Sequence, residues 1–226
     1  MKIGIIIFPG SNCDHDMLHV LQNVCNANVI ELWHKNTDLQ NVDVIILPGG
    51  FSYGDYLRCG AMASHSPIMQ SVKKFAHEGG KVFGVCNGFQ ILCESGLLPG
   101  TLLRNNKQKF ICDNVYLKVC TSNSIISNQY TKDEIIKVPI AHGEGRYYAD
   151  EATIKNLVDN DQIILKYCST KGIENDESNP NGSLLNIAGI CNNTRNVFGM
   201  MPHPERCAEI ELGNNDGLRF FESLLR

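Results

Sequence analysis

Covalent chemistry is most plainly available in this chain at Gly84-Val85-Cys86-Asn87-Gly88. The pentapeptide follows the apolar run Val82–Val85 and opens an apolar stretch through Phe89, Ile91 and Leu92, so it reads as strand, tight turn and helix. That is the cysteine version of the nucleophile elbow. The turn pushes the sulfur into the open, and flanking glycines remove the Cβ atoms that would collide there. A helix N-terminus favours thiolate over thiol. The N–H of the residue after the nucleophile, Asn87, can donate to an oxyanion. The chemistry this allows is nucleophilic attack by a thiolate beside a donor for an oxyanion.

A thiol nucleophile needs a base, and the base needs an acceptor to orient it. His203-Pro204-Glu205 offers both. Pro204 biases His203 toward extended backbone, and residues two apart in an extended segment share a side. The preceding run Val197–Met201 is a strand that ends where the trio begins, and Cys86 belongs to the same carboxyl edge of the sheet. Gly49-Gly50, just past the strand Val42–Leu47, is the natural second half of an oxyanion hole. His142 opens the glycine-punctuated segment His142-Gly143-Glu144-Gly145-Arg146-Tyr147, which allows close approach of backbone to a ligand or makes a plain charged turn. His15, His19, His34, His65 and His77 lie in helical or loop contexts and read as solvated or simply hydrogen-bonded.

The elements that must position these residues alternate through the first hundred positions. Ile3–Phe8, Asn28–Leu32, Val42–Leu47 and Val82–Val85 read as strands. The first is a continuous β-branched and aromatic run, as a strand buried on both faces should be. Between them, Asp14–Val24 and Ile68–Ala76 have helical spacing, the latter closed by Gly79-Gly80. Further on, Phe110–Val119 alternates like an antiparallel strand. Ile135–Ile140, Ile163–Tyr167, Ile187–Cys191 and Val197–Met201 are shorter strands, and Asp216–Leu225 is a final helix. Thr170–Ser183, rich in Asn, Ser, Gly and acidic residues, reads as a long exposed loop. No linker divides the chain. The expectation is one α/β domain over residues 1–226: a doubly wound, mostly parallel, flavodoxin-like sheet with an antiparallel extension.

Composition narrows the field. The 226 residues are 43% hydrophobic and 19% charged, with a net charge of −4, which gives no electrostatic case for nucleic acid or an anionic membrane. The longest apolar runs are too short to span a bilayer, and Met1-Lys2-Ile3-Gly4 leads straight into a strand without a signal-peptide pattern, so a cytoplasmic location is expected. Ten cysteines are scattered with no C-x-x-C pair, which favours small buried hydrophobes over disulfides or a metal site. No G-x-x-x-x-G-K-[ST] occurs, so nucleotide is not expected on this chain.

Gly84–Gln90 together with His203-Pro204-Glu205 resembles the triad (class I) glutamine amidotransferases. Within them the chain is similar to the small, separate-chain glutaminase subunits of phosphoribosylformylglycinamidine synthases, through Phe8–Asp14, Pro48–Asp55, Pro139–Tyr147, Asn179–Ser183 and Met201–Arg206. The segments run from near the first residue to near the last. The resemblance implies a catalytic triad of Cys86, His203 and Glu205, and an oxyanion hole from backbone N–H groups of Gly50 and Asn87. It also implies glutamine contacts at Gly49, Gln90, His142 and Gly143. No cofactor or metal is implied in this chain. ATP and magnesium would bind a partner synthetase that uses the ammonia, and a small bridging subunit would complete the complex.

Three other readings compete. The same chemistry can serve a nucleotide or chorismate acceptor, which the Gly-Phe-Ser-Tyr-Gly-Asp and His-Gly-Glu-Gly-Arg-Tyr segments disfavour. A cysteine hydrolase or thiol sensor shares the elbow but need not carry His-Pro-Glu after the last strand. A non-catalytic binding subunit would not need an intact triad.

Overall fold

The computed structural model describes all 226 residues. Its strands in chain order are β1 (Lys2–Ile7), β2 (Asn28–Trp33), β3 (Val44–Leu47), β4 (Lys81–Val85), β5 (Thr101–Leu103), β6 (Ile111–Val119), β7 (Ile135–His142), β8 (Arg146–Tyr148), β9 (Ile163–Cys168), β10 (Ile187–Cys191) and β11 (Val197–Met200). The α-helices are α1 (Asp14–His19), α2 (Ala61–Ser64), α3 (Pro67–His77), α4 (Asn87–Glu94), α5 (Glu151–Asp159) and α6 (Leu218–Leu224). Nine strands form one sheet in the order β2-β1-β3-β4-β11-β10-β9-β6-β7, and β5 pairs with β8 in a small separate ribbon.

The sheet has two halves. From β2 to β11 every pairing is parallel, and from β11 to β7 every pairing is antiparallel. The parallel half has the 2-1-3-4-5 order of doubly wound sheets. Its strands β3 and β4 carry the continuous apolar runs VIIL and VFGV, buried on both faces as crossover helices require. In the antiparallel half, β7 alternates half-buried and buried residues along its length. One hydrophobic cluster runs through both halves, from Ile3 and Val44 to Val138, Ile164 and Phe220.

Several expectations change in detail. Asp14–Val24 is not one regular helix: α1 gives way at Val20 to a wider turn in which the Cys25 N–H reaches the Val20 carbonyl at 2.9 Å. The apolar spacing was sound, since Met17, Val20 and Leu21 are all buried. The last helix begins at Leu218, because Asp216 turns aside and accepts from the Lys137 N–H at 2.7 Å. Thr170–Ser183 is exposed only in its first part. Asn181 and Ser183 are buried, and their amide and hydroxyl groups bind neighbouring backbone. Helix α5 was not anticipated although Ile154, Leu157 and Val158 have helical spacing, and of these only Leu157 is fully buried. Its start is marked by Asp150, which accepts from the Thr153 N–H at 2.7 Å. Seven of the ten cysteines are buried and none forms a disulfide. No helix is long and apolar enough to cross a membrane.

Candidate active site

Cys86 sits between β4 and α4 with φ 49° and ψ −105°, a region that non-glycine residues avoid and that typically costs about 1–3 kcal/mol. The surroundings hold it there. A side chain on Gly88 would overlap the Leu47 carbonyl of β3, and a Cβ on Gly84 would lie 2.7 Å from the backbone of Gly88. The helix can therefore leave the strand sharply only with glycine on both sides of the cysteine. The Cys86 N–H is bound to the Met200 carbonyl at 2.8 Å, which ties the turn to the end of β11.

His203 follows that same strand. Its N–H donates to the Pro139 carbonyl of β7 at 2.8 Å, and the Cys86 thiol lies 3.8 Å from the Ala141 carbonyl two residues further on. The end of the antiparallel half thus reaches back to the end of the parallel half. Pro139 suits this position because a proline lacks an N–H and presents only its carbonyl. The chain does not remain extended through Glu205 as anticipated, since Pro204–Cys207 forms a 3₁₀ turn. The turn still brings Glu205 Oε1 to 2.6 Å from His203 Nδ1, with both residues almost fully buried. Nδ1 donates to the carboxylate, which leaves Nε2, buried and without a partner, as the free nitrogen. Burial alone would discharge the imidazole. Glu205 and then Cys86 outweigh it, and the His203 pKa is pushed up to about 10.

Gly49 packs against the imidazole, where a Cβ would stand 2.8 Å from His203 Cε1. Gly50 has φ +129°, and a side chain there would press within 2.6 Å of the Asn12 nitrogen. Asn87 opens α4, so its N–H has no carbonyl within the helix to bind. Its side chain accepts from the Ser52 N–H at 3.2 Å and donates to Gln90 Oε1 at 2.8 Å. Gln90 in turn donates to the Glu144 carbonyl at 2.6 Å. Cys86, Gly50, Gln90, His142 and Gly143 line one cleft of about 290 Å³. The structure therefore brings those five together, with Gly49 behind the imidazole and Asn87 beneath Gln90.

His142 is held by a buried asparagine that sequence spacing could not reveal. Asn105 donates through Nδ2 to the carbonyls of Lys109 and His142, at 2.8 and 2.9 Å. Its Oδ1 must then accept, and does so from His142 Nδ1 and the Gly145 N–H, both at 3.1 Å. Burial, with the neighbouring His203 charge, pushes the His142 pKa down to about 4, so the ring is neutral with a lone pair on a buried, unpartnered Nε2. Asn181 holds the other side by donating to the Gly145 carbonyl at 2.8 Å. The Asn179–Ser183 segment carries the family resemblance, and its amide side chains are what make it structurally distinctive.

Cys13 is a second thiol near the site. Arg206 Nη2 lies 3.0 Å from its sulfur, yet burial prevails and pushes the thiol up to about 12. Ligand atoms of Cys13, His203 and Glu205 fall within 4.8 Å of one another. As a metal cradle this set is poor, because His203 Nδ1 is committed to Glu205 and a guanidinium occupies the thiol.

A strained cysteine on one strand end, with a carboxylate-oriented imidazole on the next, is an arrangement for thiol acyl transfer. Comparison with known proteins agrees with that chemistry. A family model for the CobB/CobQ-like glutamine amidotransferase domain matches residues 1–215. The chain belongs to the CobB/CobQ-like glutamine amidotransferases. Among curated amidotransferase relatives, phosphoribosylformylglycinamidine synthase subunit PurQ of Koribacter versatilis is 55% identical over 225 residues, covering 100% of this chain and 97% of the relative. The protein of the same description from Salinibacter ruber is 53% identical over 224 residues, covering 99% and 95%. In the solved structure of PurLQS from Thermotoga maritima, one chain is 41% identical and superposes with a TM-score of 0.87, covering 99% of this chain and 97% of that one. The nine-stranded architecture is thus that of a class I glutamine amidotransferase.

Proposed function

We propose that this chain is the glutaminase subunit of a phosphoribosylformylglycinamidine synthase, working as one domain over residues 1–226. With the thiol proton held on the His203 imidazole, whose raised pKa favours the imidazolium, Cys86 Sγ attacks the side-chain amide carbon of glutamine. The tetrahedral oxyanion is received by the N–H groups of Gly50 and Asn87. As the carbon–nitrogen bond breaks, His203 returns the proton to the departing nitrogen, giving ammonia and a glutamyl thioester on Cys86. Water, deprotonated by the same imidazole, then cleaves the thioester to glutamate and free thiol. Glu205 keeps Nδ1–H oriented and balances the imidazolium. Gly49, Gln90, His142 and Gly143 shape the glutamine cleft.

The single observation that carries this reading is the free Nε2 of His203. It lies just past the end of β11, the strand beside the one that leads into the strained Cys86, with Nδ1 held 2.6 Å from Glu205. Near 50% identity to PurQ subunits over the whole chain supports the acceptor assignment. Ammonia would pass to a synthetase subunit that holds ATP and magnesium and converts formylglycinamide ribonucleotide to its amidine in purine biosynthesis. A small bridging subunit would join the two in the cytoplasm.

The test is Cys86→Ala assembled with the partner subunits. Glutamine-dependent amidine formation should fall by about 10³-fold or more, while ammonia-dependent formation continues at the wild-type rate. Loss of both reactions together would refute the division of labour.

A further inference from the structure

We propose that Asp55 and Glu144 receive the α-ammonium group of L-glutamine, so that the cleft selects an amino acid rather than any primary amide for Cys86. The inference rests on the glutaminase reading above and extends it to the far end of the substrate.

The cleft that holds Cys86 and Gln90 continues into a wall carrying Asp55, Cys59 and Glu144. Asp55 Oδ1 is shielded from solvent and has no hydrogen-bond partner. Burial raises the Asp55 carboxyl above its ordinary range, a hydrogen bond from Cys59 works against this, and the neighbouring Glu144 charge adds to the rise. Two carboxylates that repel across a cleft are relieved by a cation placed between them. The cations that line the cleft, Arg104 and Lys109, are exposed, and neither pairs with Asp55. Cys59 is buried, and its thiol is pushed up by burial and then by Asp55 and Glu144, so it stays neutral beside them. Glu144 meets Arg104 at 3.3 Å, but the Arg104 side chain is 76% exposed and screened by water.

The remaining polar group of this region has the same character. His142 is 2% exposed, neutral, and leaves the Nε2 lone pair without a donor. The wall therefore offers an excess of acceptors: Asp55 Oδ1, the Glu144 carboxylate and His142 Nε2. An ammonium group brings three N–H donors and one positive charge, which answers that excess. The exposed cations on this cleft, Arg104 and Lys109, leave the α-carboxylate a place toward solvent.

Asp55 also explains an otherwise costly backbone. Tyr53, Asp55 and Leu57 all have φ between 54° and 70°, and strain of this kind is retained where it places a functional group. Here it brings one carboxylate oxygen out of water while Tyr56 and Leu57 remain exposed.

The experiment compares L-glutamine with glutaramate, the same amide without the α-amino group, using the chain assembled with its partner subunits. A charged hydrogen bond is worth about 1.5–3 kcal/mol, or roughly 10- to 100-fold. The wild-type complex should favour L-glutamine over glutaramate by at least about 10-fold in kcat/KM, and Asp55→Asn should collapse that ratio by a similar factor, chiefly through KM. Equal losses on both substrates would mean a structural role and overturn the proposal, as would an unchanged ratio. Glu144→Gln gives the same comparison if Asp55→Asn does not assemble. Calorimetric titration of the Cys86→Ala complex decides the matter without turnover: L-glutamine should bind at least about 10-fold tighter than glutaramate, and equal affinities would defeat the assignment. Failure of the wild-type complex to hydrolyse glutamine would instead count against the glutaminase reading, leaving this binding test in force.

Discussion

The two halves of the sheet supply the candidate site by different physics. The parallel half places Cys86 by exclusion: Gly84 and Gly88 leave no room for any other path, and the Leu47 carbonyl fills the space a side chain would need. The antiparallel half places its contribution by attraction. Pro139 and Ala141 present carbonyls to His203 and Cys86, while Asn105 and Asn181 gather the His142–Gly145 segment through side-chain amides. A position set by van der Waals contact tolerates almost no substitution, because interiors are close-packed. One set by hydrogen bonds fails by leaving buried groups unsatisfied, which is costly in a different way. Variants in the two halves should therefore break the site differently.

The largest effect is expected where the halves meet. Glu205→Gln keeps the shape of the side chain but removes the charge that holds His203 in its orientation and raises its pKa. Glutamine kcat/KM should fall by about 10²- to 10⁴-fold, in the range seen when a triad carboxylate is neutralised. Stability carries a pH signature as well. A histidine whose pKa rises from 6.5 to about 10 on folding contributes stability that is complete below pH 6.5 and disappears as the pH rises to about 10. The wild-type advantage over Glu205→Gln in urea unfolding should shrink across that window. A gap that widens with pH would contradict the charge assignment.

In the parallel half, Gly88→Ala adds one methyl group against a backbone carbonyl that cannot move without β3. The expected cost is about 3 kcal/mol or more, at the upper end of overpacking effects, read as a lower denaturation midpoint with an unchanged m-value. Full stability in this variant would show that α4 can slide away from the sheet and that exclusion is not what holds Cys86.

The antiparallel half should give the smallest of the three effects. Asn105→Ala strands the Gly145 N–H and the His142 Nδ1–H, for a loss of about 2 kcal/mol. Because His142 shapes the cleft and takes no direct part in proton transfer, KM for glutamine should rise more than kcat falls. A kcat loss as deep as that of Glu205→Gln would place Asn105 in the chemistry and erase the distinction between the halves.

The same contrast accounts for what sequence could reveal. The Cys86 elbow and His203-Pro204-Glu205 are local: their geometry follows from a few consecutive residues, and their strands are long apolar runs. Even there the local rule was imperfect, since Glu205 reaches His203 through a 3₁₀ turn where an extended segment was anticipated. Asn105, by contrast, meets His142 and Gly145 across 37 and 40 residues, and no spacing rule relates them. Asp55 closes the Pro48–Asp55 segment that carries the family resemblance, but no spacing rule assigns its side chain a role. Strands β5 and β8 have three residues each and exist because they find one another across more than 40 residues. Helix α5 carries helical apolar spacing at Ile154, Leu157 and Val158, yet it is short and buries only Leu157 fully.

The ladder between β4 and β11 has a consequence for how this protein can be inactivated. Cys86 and His203 leave neighbouring strands at the centre of the sheet, one interstrand spacing apart and joined by the Cys86–Met200 hydrogen bond. Fraying at the β2 edge leaves that pair together, whereas loosening of β7 would release the Pro139 and Ala141 carbonyls that face His203 and Cys86. Strands β4 and β11 part only when the middle of the sheet opens, a fluctuation of nearly the full unfolding free energy. The Cys86 amide proton therefore belongs to the slowest-exchanging class in the molecule. The cleft and its strained 53–57 segment are the parts of the site that can shift without that opening, since the sheet beneath Cys86 yields only when its centre opens.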